Sequence, residues 1–266
     1  MKDWIVVTGA SSGIGEAFSK QAARASYPLL LTGRNEERLA AVKKATLALG
    51  SPVVETLALD LTDADAIDQL VQQATTERHV FSLVHCAGYG EFTSVIHQTN
   101  REIKNMLETN LLSTMYLTKA FAVEMLKDPE RTHNITLIAS VAGKIHTPQS
   151  TVYSASKAGV WGYANSLRQD LLDTNITVTC ILPGPVQTPF FTRTKANRTY
   201  YKQVQKYSVT PEHVADVMWR AIQSKKWEVV VPYYYELTAK LLALSPTLGY
   251  HLIHYFFNAF PVKQSL

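Results

Sequence analysis

Only two of the 266 residues are cysteine, Cys86 and Cys180, and neither belongs to a CxxC pair or a metal-ligand spacing. A disulfide framework and a zinc motif are therefore excluded, and both cysteines read as reduced thiols inside apolar runs. His85, next to Cys86, has no second ligand at zinc spacing, so no metal is expected from the sequence. Charge of one sign is also missing: 26 basic residues are interspersed with 22 acidic ones, for a net charge of +4. That balance lacks the basic blocks that track a phosphate backbone, and nucleic acid is not an expected partner. No charged stretch followed by an apolar run of leader length fits before the first apolar segment at residues 5–7, so the expectation is a cytoplasmic chain. Neither a Gly/Ser/Pro-rich linker nor an internal repeat interrupts residues 1–232.

What is present is a regular alternation. Short β-branched or Leu-rich runs at residues 5–8, 29–32, 53–59, 80–84, 135–139, 176–182 and 229–231 read as buried strands. Between them, residues 16–24, 36–47, 65–76, 103–125, 153–172 and 211–222 carry helical spacing. The alternation predicts an α/β fold, a doubly wound, Rossmann-type parallel seven-stranded sheet with helices on both faces, as one domain over residues 1–232. Residues 233–266 form an apolar tail added to that core.

Directly after the first strand stands Thr8-Gly9-Ala10-Ser11-Ser12-Gly13-Ile14-Gly15, followed by a helical run. Glycines at this place let the backbone turn sharply, and they let a diphosphate approach amide hydrogens at the positive end of the helix. Here the chain resembles the short-chain dehydrogenase/reductase family, whose members carry TGxxxGxG at this position; the resemblance runs from about residue 5 to residue 231.

That resemblance implies a nicotinamide dinucleotide held by Gly9, Ser11, Ser12, Gly13, Ile14 and Gly15, with the residues after the second strand choosing between its two forms. NAD-preferring members place an aspartate there, whereas this chain has Gly33 and then Arg34. A guanidinium binds a 2′-phosphate through paired charged hydrogen bonds, so NADP(H) is expected over NAD(H). The Asp60-Leu61 pair matches the adenine position, although Asp60 could instead cap the helix beginning near residue 63. His85-Cys86-Ala87-Gly88 stands where the family usually has Asn-Asn-Ala-Gly. Ala87 and Gly88 keep the small volume beside the cofactor, but the bracing asparagines are lost. Pro183-Gly184-Pro185-Val186-Gln187-Thr188 resembles the family's PG turn, with Pro183, Gly184 and Val186 against the cofactor and Thr188 on its carboxamide.

Tyr153 and Lys157 are four residues apart on an expected helix, hence on one face. Of thirteen tyrosines only Tyr153 has that lysine. Ser140 ends the fifth strand, at the sheet edge where open parallel sheets bind ligands. The family combines such a Ser, Tyr and Lys with an asparagine from the preceding helix, here Asn110. The resemblance therefore implies a catalytic set of Asn110, Ser140, Tyr153 and Lys157, with Tyr153 and Lys157 also touching the cofactor and Asn110 holding a water that links Lys157 to solvent. A phenol near pKa 10 needs help to act near neutrality, and an ammonium about 4–5 Å away would favour the phenolate by about 3–4 kcal/mol. The expected function is oxidoreduction of a carbonyl/alcohol pair by hydride transfer, with Tyr153 as general acid/base. The alternative is a dinucleotide-binding redox sensor or scaffold without turnover.

Two further expectations concern the periphery. Residues 189–208 carry Phe190, Phe191, Tyr200, Tyr201 and Tyr207 and match the family's mobile substrate lid. Residues 241–262 contain no Asp, Glu, Lys or Arg, while Leu248, Leu252, Phe256 and Phe260 form one helical stripe that Ile253 and Phe257 widen. The stripe is expected to cover the chain's own cleft or a neighbouring subunit, which would favour a lipophilic carbonyl substrate. Lying on a membrane surface is the second reading; Pro246, Gly249, His251, His254 and Asn258 argue against a span. The family resemblance adds a homodimer or homotetramer.

Overall fold

The computed structural model describes residues 3–192 and 194–258. Its centre is one parallel sheet of seven strands: β1 (Trp4–Thr8), β2 (Leu29–Gly33), β3 (Val54–Ala58), β4 (Val80–His85), β5 (His133–Ile138), β6 (Ile176–Pro183) and β7 (Glu228–Val231). They lie in the order β3-β2-β1-β4-β5-β6-β7. Successive side chains of a strand point to opposite faces, and here both faces are covered, which is why the strands read as β-branched or Leu-rich runs without strict polar alternation. Val6 and Leu30 enter the layer under α3 (Ala64–Thr75), α5 (Ser113–Met125) and α6 (Thr151–Asp170), against Leu70, Phe121 and Val160. Ile5, Val7, Leu29 and Leu31 enter the other layer, against Phe18 of α1 (Gly13–Arg24), Leu39 of α2 (Glu36–Ala48) and Met218 of α8 (Pro211–Gln223).

Because the chain moves outward from β1 to β3 and then returns to β4 on the other side of β1, a crevice opens between β1 and β4 at their carboxyl ends. The turns after β1, β4, β5 and β6 surround it, so local sequence and topology deliver their residues to one place.

The helix expected over residues 103–125 is divided. The segment α4 (Asn100–Leu107) begins with a capping box in which the Thr99 hydroxyl accepts from the Glu102 amide and the Glu102 carboxylate accepts from the Thr99 amide. A π turn over Glu108–Leu112 then separates α4 from α5. Helical periodicity does not reveal such an insertion, which adds a residue without ending the apolar face. It falls on Asn110.

Beyond β7, α9 (Tyr234–Leu244) packs on the sheet edge and α10 (Pro246–Asn258) packs on α9. The side chains of Phe256 and Phe257, and all of Phe260, lie outside the described residues. Leu248 and Leu252 are more than half exposed. No described residue of α10 lines the cleft between β1 and β4, so Leu248 and Leu252 of the stripe do not cover it. Among the described residues, no helix is long and apolar enough to cross a membrane.

Candidate active site

The glycine turn is tight because it must be. Gly9 (φ +62°) and Gly13 (φ +60°) occupy the left-handed region, and a Cβ on Gly9 would stand 2.8 Å from the Ala87 amide nitrogen. A Cβ on Gly15 would collide with the Gly9 carbonyl, so α1 starts hard against the turn. Ser12, the N-cap of α1, makes no side-chain cap, which leaves the first-turn amides open to an anion.

A cleft of about 450 Å³ runs past this turn. Arg34, Asp60 and Leu61 stand at one end, and Ser140, Tyr153 and Lys157 at the other. Gly9, Ser11, Ser12, Gly13, Ile14, Gly15, Ala87, Gly88, Pro183, Gly184, Val186 and Thr188 line the stretch between. The cleft thus gathers every residue the motifs singled out except Asn110. Its length, glycine floor and open helix amides suit a dinucleotide. At the Arg34 end, the guanidinium is 3.9 Å from Asp60 Oδ2 and mostly exposed, a loose pairing that leaves it able to turn to a phosphate. Asp60 does not cap α3. It accepts from the amide and hydroxyl of Thr62, while Asp63 caps the helix.

At the other end α6 presents Tyr153 and Lys157 on one buried face. Tyr153 lines the cleft with Ser140, whose Oγ accepts from the Ala142 amide at 3.1 Å and donates to the Pro183 carbonyl at 3.4 Å. Lys157 Nζ donates to the Ile138 carbonyl at 2.8 Å. Burial pushes the Tyr153 phenol up to about 12, against the pull of Ser140. Burial also lowers the Lys157 ammonium to about 8. The expectation that the lysine's field brings the phenol down is therefore not met, because loss of water around the phenolate dominates.

Asn110 sits behind the cleft, fully buried. Its Oδ1 accepts from the Tyr89 amide at 2.9 Å, and its Nδ2 donates to the Tyr89 carbonyl at 2.8 Å and to Ser156 Oγ at 3.0 Å. The side chain is thus spent on clamping the loop after β4 to α6. A Cβ at Gly88 would lie 3.1 Å from Asn110 Oδ1 and 3.4 Å from Lys157 Nζ, so this glycine lets both polar groups approach the same spot.

His85 supplies the bracing that the missing asparagines left in doubt. The Ala87 amide donates to Thr8 Oγ1 at 3.2 Å, and Thr114 Oγ1 donates to the Asn110 carbonyl at 2.8 Å. Between these hydroxyls lies the His85 ring, with Nδ1 2.9 Å from Thr8 Oγ1 and Nε2 2.9 Å from Thr114 Oγ1. Since each hydroxyl has one proton, a chain running in one direction makes Nδ1 accept from Thr8 and Nε2–H donate to Thr114. The ring is then neutral, and burial, with the Lys157 charge adding to it, pushes His85 down to about 3. In the unfolded chain it returns to about 6.5, so the folded form binds fewer protons between these values and stability falls as pH drops from 6.5 toward 3. His85→Gln should lack this component: between pH 7 and pH 4 the wild type should lose about 3 kcal/mol more than the variant in denaturant unfolding. Equal losses would mean that His85 is not held neutral. Burial also raises the Cys86 thiol to about 12, which makes it inert.

Sequence reasoning missed several residues here. Arg38 lines the Arg34 end of the cleft one helical turn further on, a spacing that was legible. Phe92 lies 5.2 Å from the Tyr153 ring and 4.2 Å from Tyr200. Asn197 of α7 (Lys195–Val204) accepts from the Phe92 amide at 3.0 Å and donates to the Gly90 carbonyl at 2.8 Å, fastening the expected lid segment over the substrate end. No local pattern announces these contacts, which join residues about sixty to over a hundred positions apart.

The family profile described as short chain dehydrogenase matches residues 3–199. The chain belongs to the short-chain dehydrogenase family. A sulfoacetaldehyde reductase of Chromohalobacter salexigens is 35% identical over 192 residues, covering 71% of this chain and 75% of that protein. A ketoacyl reductase of Nostoc is 30% identical over 251 residues, covering 91% of this chain and 85% of its own length. Among solved structures, a short-chain dehydrogenase/reductase of Burkholderia phymatum in complex with NAD superposes with a TM-score of 0.85 at 22% identity, over 92% of this chain and 94% of that one. This last likeness is one of fold. The chain is accordingly an oxidoreductase of the short-chain dehydrogenase type.

Proposed function

We propose that the chain is an NADP(H)-dependent carbonyl reductase with Tyr153 as its proton donor, acting on lipophilic substrates. The observation that carries this reading is that Ser140, Tyr153 and Lys157 line the same cleft as the glycine turn, with Tyr153 and Lys157 buried on one face of α6. A bound nicotinamide supplies the hydride. Tyr153 gives its phenolic proton to the carbonyl oxygen, and Ser140 donates a hydrogen bond to the same oxygen as its charge grows. A phenol near 12 keeps its proton throughout the neutral range, yet it is still more acidic than the alkoxide it protonates. Lys157 lends positive charge to that corner and donates to the cofactor's ribose. Asn110 positions the loop beside both.

For the cofactor, two guanidiniums at one end of the cleft suit a 2′-phosphate, which each can hold with paired charged hydrogen bonds. Arg34→Asp should lower the ratio of kcat/KM for NADPH over NADH by about a hundredfold, the equivalent of two lost charge-assisted hydrogen bonds. An unchanged ratio would leave the discrimination to Arg38 or the serines of the glycine turn. For the substrate, Tyr89, Phe92, Phe190 and Phe191 build an apolar wall around the Tyr153 ring. A panel of carbonyl compounds assayed with each cofactor tests the whole reading; bulky ketones with NADPH should lead it, and a preference for small polar aldehydes would refute the substrate class.

The stripe that begins with the exposed Leu248 and Leu252 is assigned to a neighbouring copy of the chain, in a homodimer or homotetramer. Deleting residues 245–266 should then reduce the assembly size in light scattering. Unchanged assembly, together with loss of liposome flotation, would assign the tail to a membrane surface instead.

A further inference from the structure

At the edge of the sheet opposite the cleft, three segments far apart in sequence bring His79, Asp128 and His133 together, with one ligand atom of each within 4.8 Å of the others. His79 precedes β4, Asp128 follows α5 and His133 opens β5. The His79 side chain is 9% exposed, and its Nδ1 lies 3.1 Å from Asp3 Oδ2 while its Nε2 lies 3.7 Å from Asp128 Oδ2. Neither ring nitrogen of His79 has a hydrogen bond of acceptable geometry. For His133, Nδ1 is 2.7 Å from the Val80 carbonyl and Nε2 is 3.2 Å from the Asp128 carbonyl. The Asp128 carbonyl is itself held by Asn175 Nδ2 at 2.7 Å.

Each imidazole thus has an oxygen acceptor for an Nδ1–H, a carboxylate for His79 and a carbonyl for His133. With those protons in place, both Nε2 lone pairs face the acceptor oxygens of Asp128. Acceptors that converge on one another repel unless a cation stands between them. Among the described residues, the cation paired with Asp3 and Asp128 is Arg131, whose contacts are long: Nη1 is 3.5 Å from Asp3 Oδ1 and Nε 3.6 Å from Asp128 Oδ2, with the side chain more than half exposed.

We propose that His79, His133 and Asp128 bind one divalent transition ion of the zinc class, a structural site that ties the starts of β4 and β5 to the end of α5. Two imidazole nitrogens and a carboxylate are the donors such an ion takes, and Asp3 and the Val80 carbonyl are the outer acceptors that fix the ring tautomers. Tetrahedral coordination sets ligand atoms about 3.3 Å apart, so the cluster must contract. Asp128, whose side chain is 41% exposed, has the freedom to do so. Arg131 would swing outward, and water or the second carboxylate oxygen would complete the shell. The site stands apart from the cleft, and its effect is on folding, because only the folded chain brings the three ligands together.

The full-length protein, stripped with a chelator, would be titrated with Zn²⁺ by calorimetry near neutral pH and with Co²⁺ by visible absorption, alongside thermal unfolding. The expected result is one ion per chain, a four-coordinate Co²⁺ spectrum, and a Tm that rises with free metal. Asp128→Asn and His79→Asn should each weaken binding at least tenfold, and Asp3→Asn about tenfold through the outer contact. Should the His79 variant fail to fold, Asp128→Asn, on a half-exposed turn, carries the comparison. Absence of stoichiometric binding by the wild type, or full affinity retained in Asp128→Asn, would overturn the proposal.

Discussion

Tyr153→Phe should lower kcat for carbonyl reduction by about 10²–10⁴-fold, the range covered by a positioned general acid, while the dinucleotide binds with nearly unchanged affinity. The substitution is conservative in every respect but one. The Tyr153 ring packs 5.2 Å from Phe92 and 5.7 Å from Phe190, contacts that Phe keeps. Only the hydroxyl is lost, and with it the transferable proton. Single-turnover kinetics with NADPH, set beside cofactor titration by fluorescence, separate the two effects. Activity within tenfold of the wild type would place the acid elsewhere.

Lys157→Met should act in opposite directions on turnover and on stability. Turnover should fall by about 10²-fold or more, because the buried ammonium beside Tyr153 is removed along with the contact proposed for it to the cofactor's ribose. Stability at neutral pH should rise. The folded pKa of about 8 lies below the unfolded value near 10.4, so the unfolded chain holds its proton more tightly across that interval. The charged lysine consequently weighs on the fold at its full cost below about pH 8 and is relieved as pH climbs toward 10. A methionine of similar length avoids the cost but leaves the Ile138 carbonyl without its donor, for a net gain of about 1–2 kcal/mol. Denaturant unfolding at pH 7 and pH 10 checks the sign: the variant's advantage should shrink at the higher pH. A variant less stable than the wild type at pH 7 would show that the lysine pays its own way through the Ile138 hydrogen bond.

Most of the architecture was legible because strands covered on both faces leave a simple trace, β-branched or Leu-rich runs of four to eight residues separated by helical spacing. The glycine turn and the Tyr153–Lys157 pair were legible for a related reason: each sits within a single local element whose geometry fixes its residues relative to one another. What the sequence hid are relations between elements. The clamp from Asn197 to Phe92, the relay from Thr8 through His85 to Thr114, and the cluster of His79 with Asp128 and His133 all join segments that meet only in the folded chain. The π turn at Glu108–Leu112 was hidden differently, since one extra residue in a helix barely disturbs its apolar pattern. The raised Tyr153 pKa was misjudged because a charge pair can be estimated from spacing, whereas desolvation depends on aromatic walls contributed by distant segments.

The most direct test of the central claim is a single-turnover experiment in which wild type and Tyr153→Phe, each saturated with NADPH, are mixed with a bulky lipophilic ketone and followed at the nicotinamide absorbance. The wild type should consume one reduced nicotinamide per site and yield the secondary alcohol, while the variant holds its NADPH unspent. Consumption at equal rates in both proteins would contradict the assigned acid, and NADPH bound but unspent by the wild type across a broad range of ketones would contradict catalysis altogether, leaving a dinucleotide sensor.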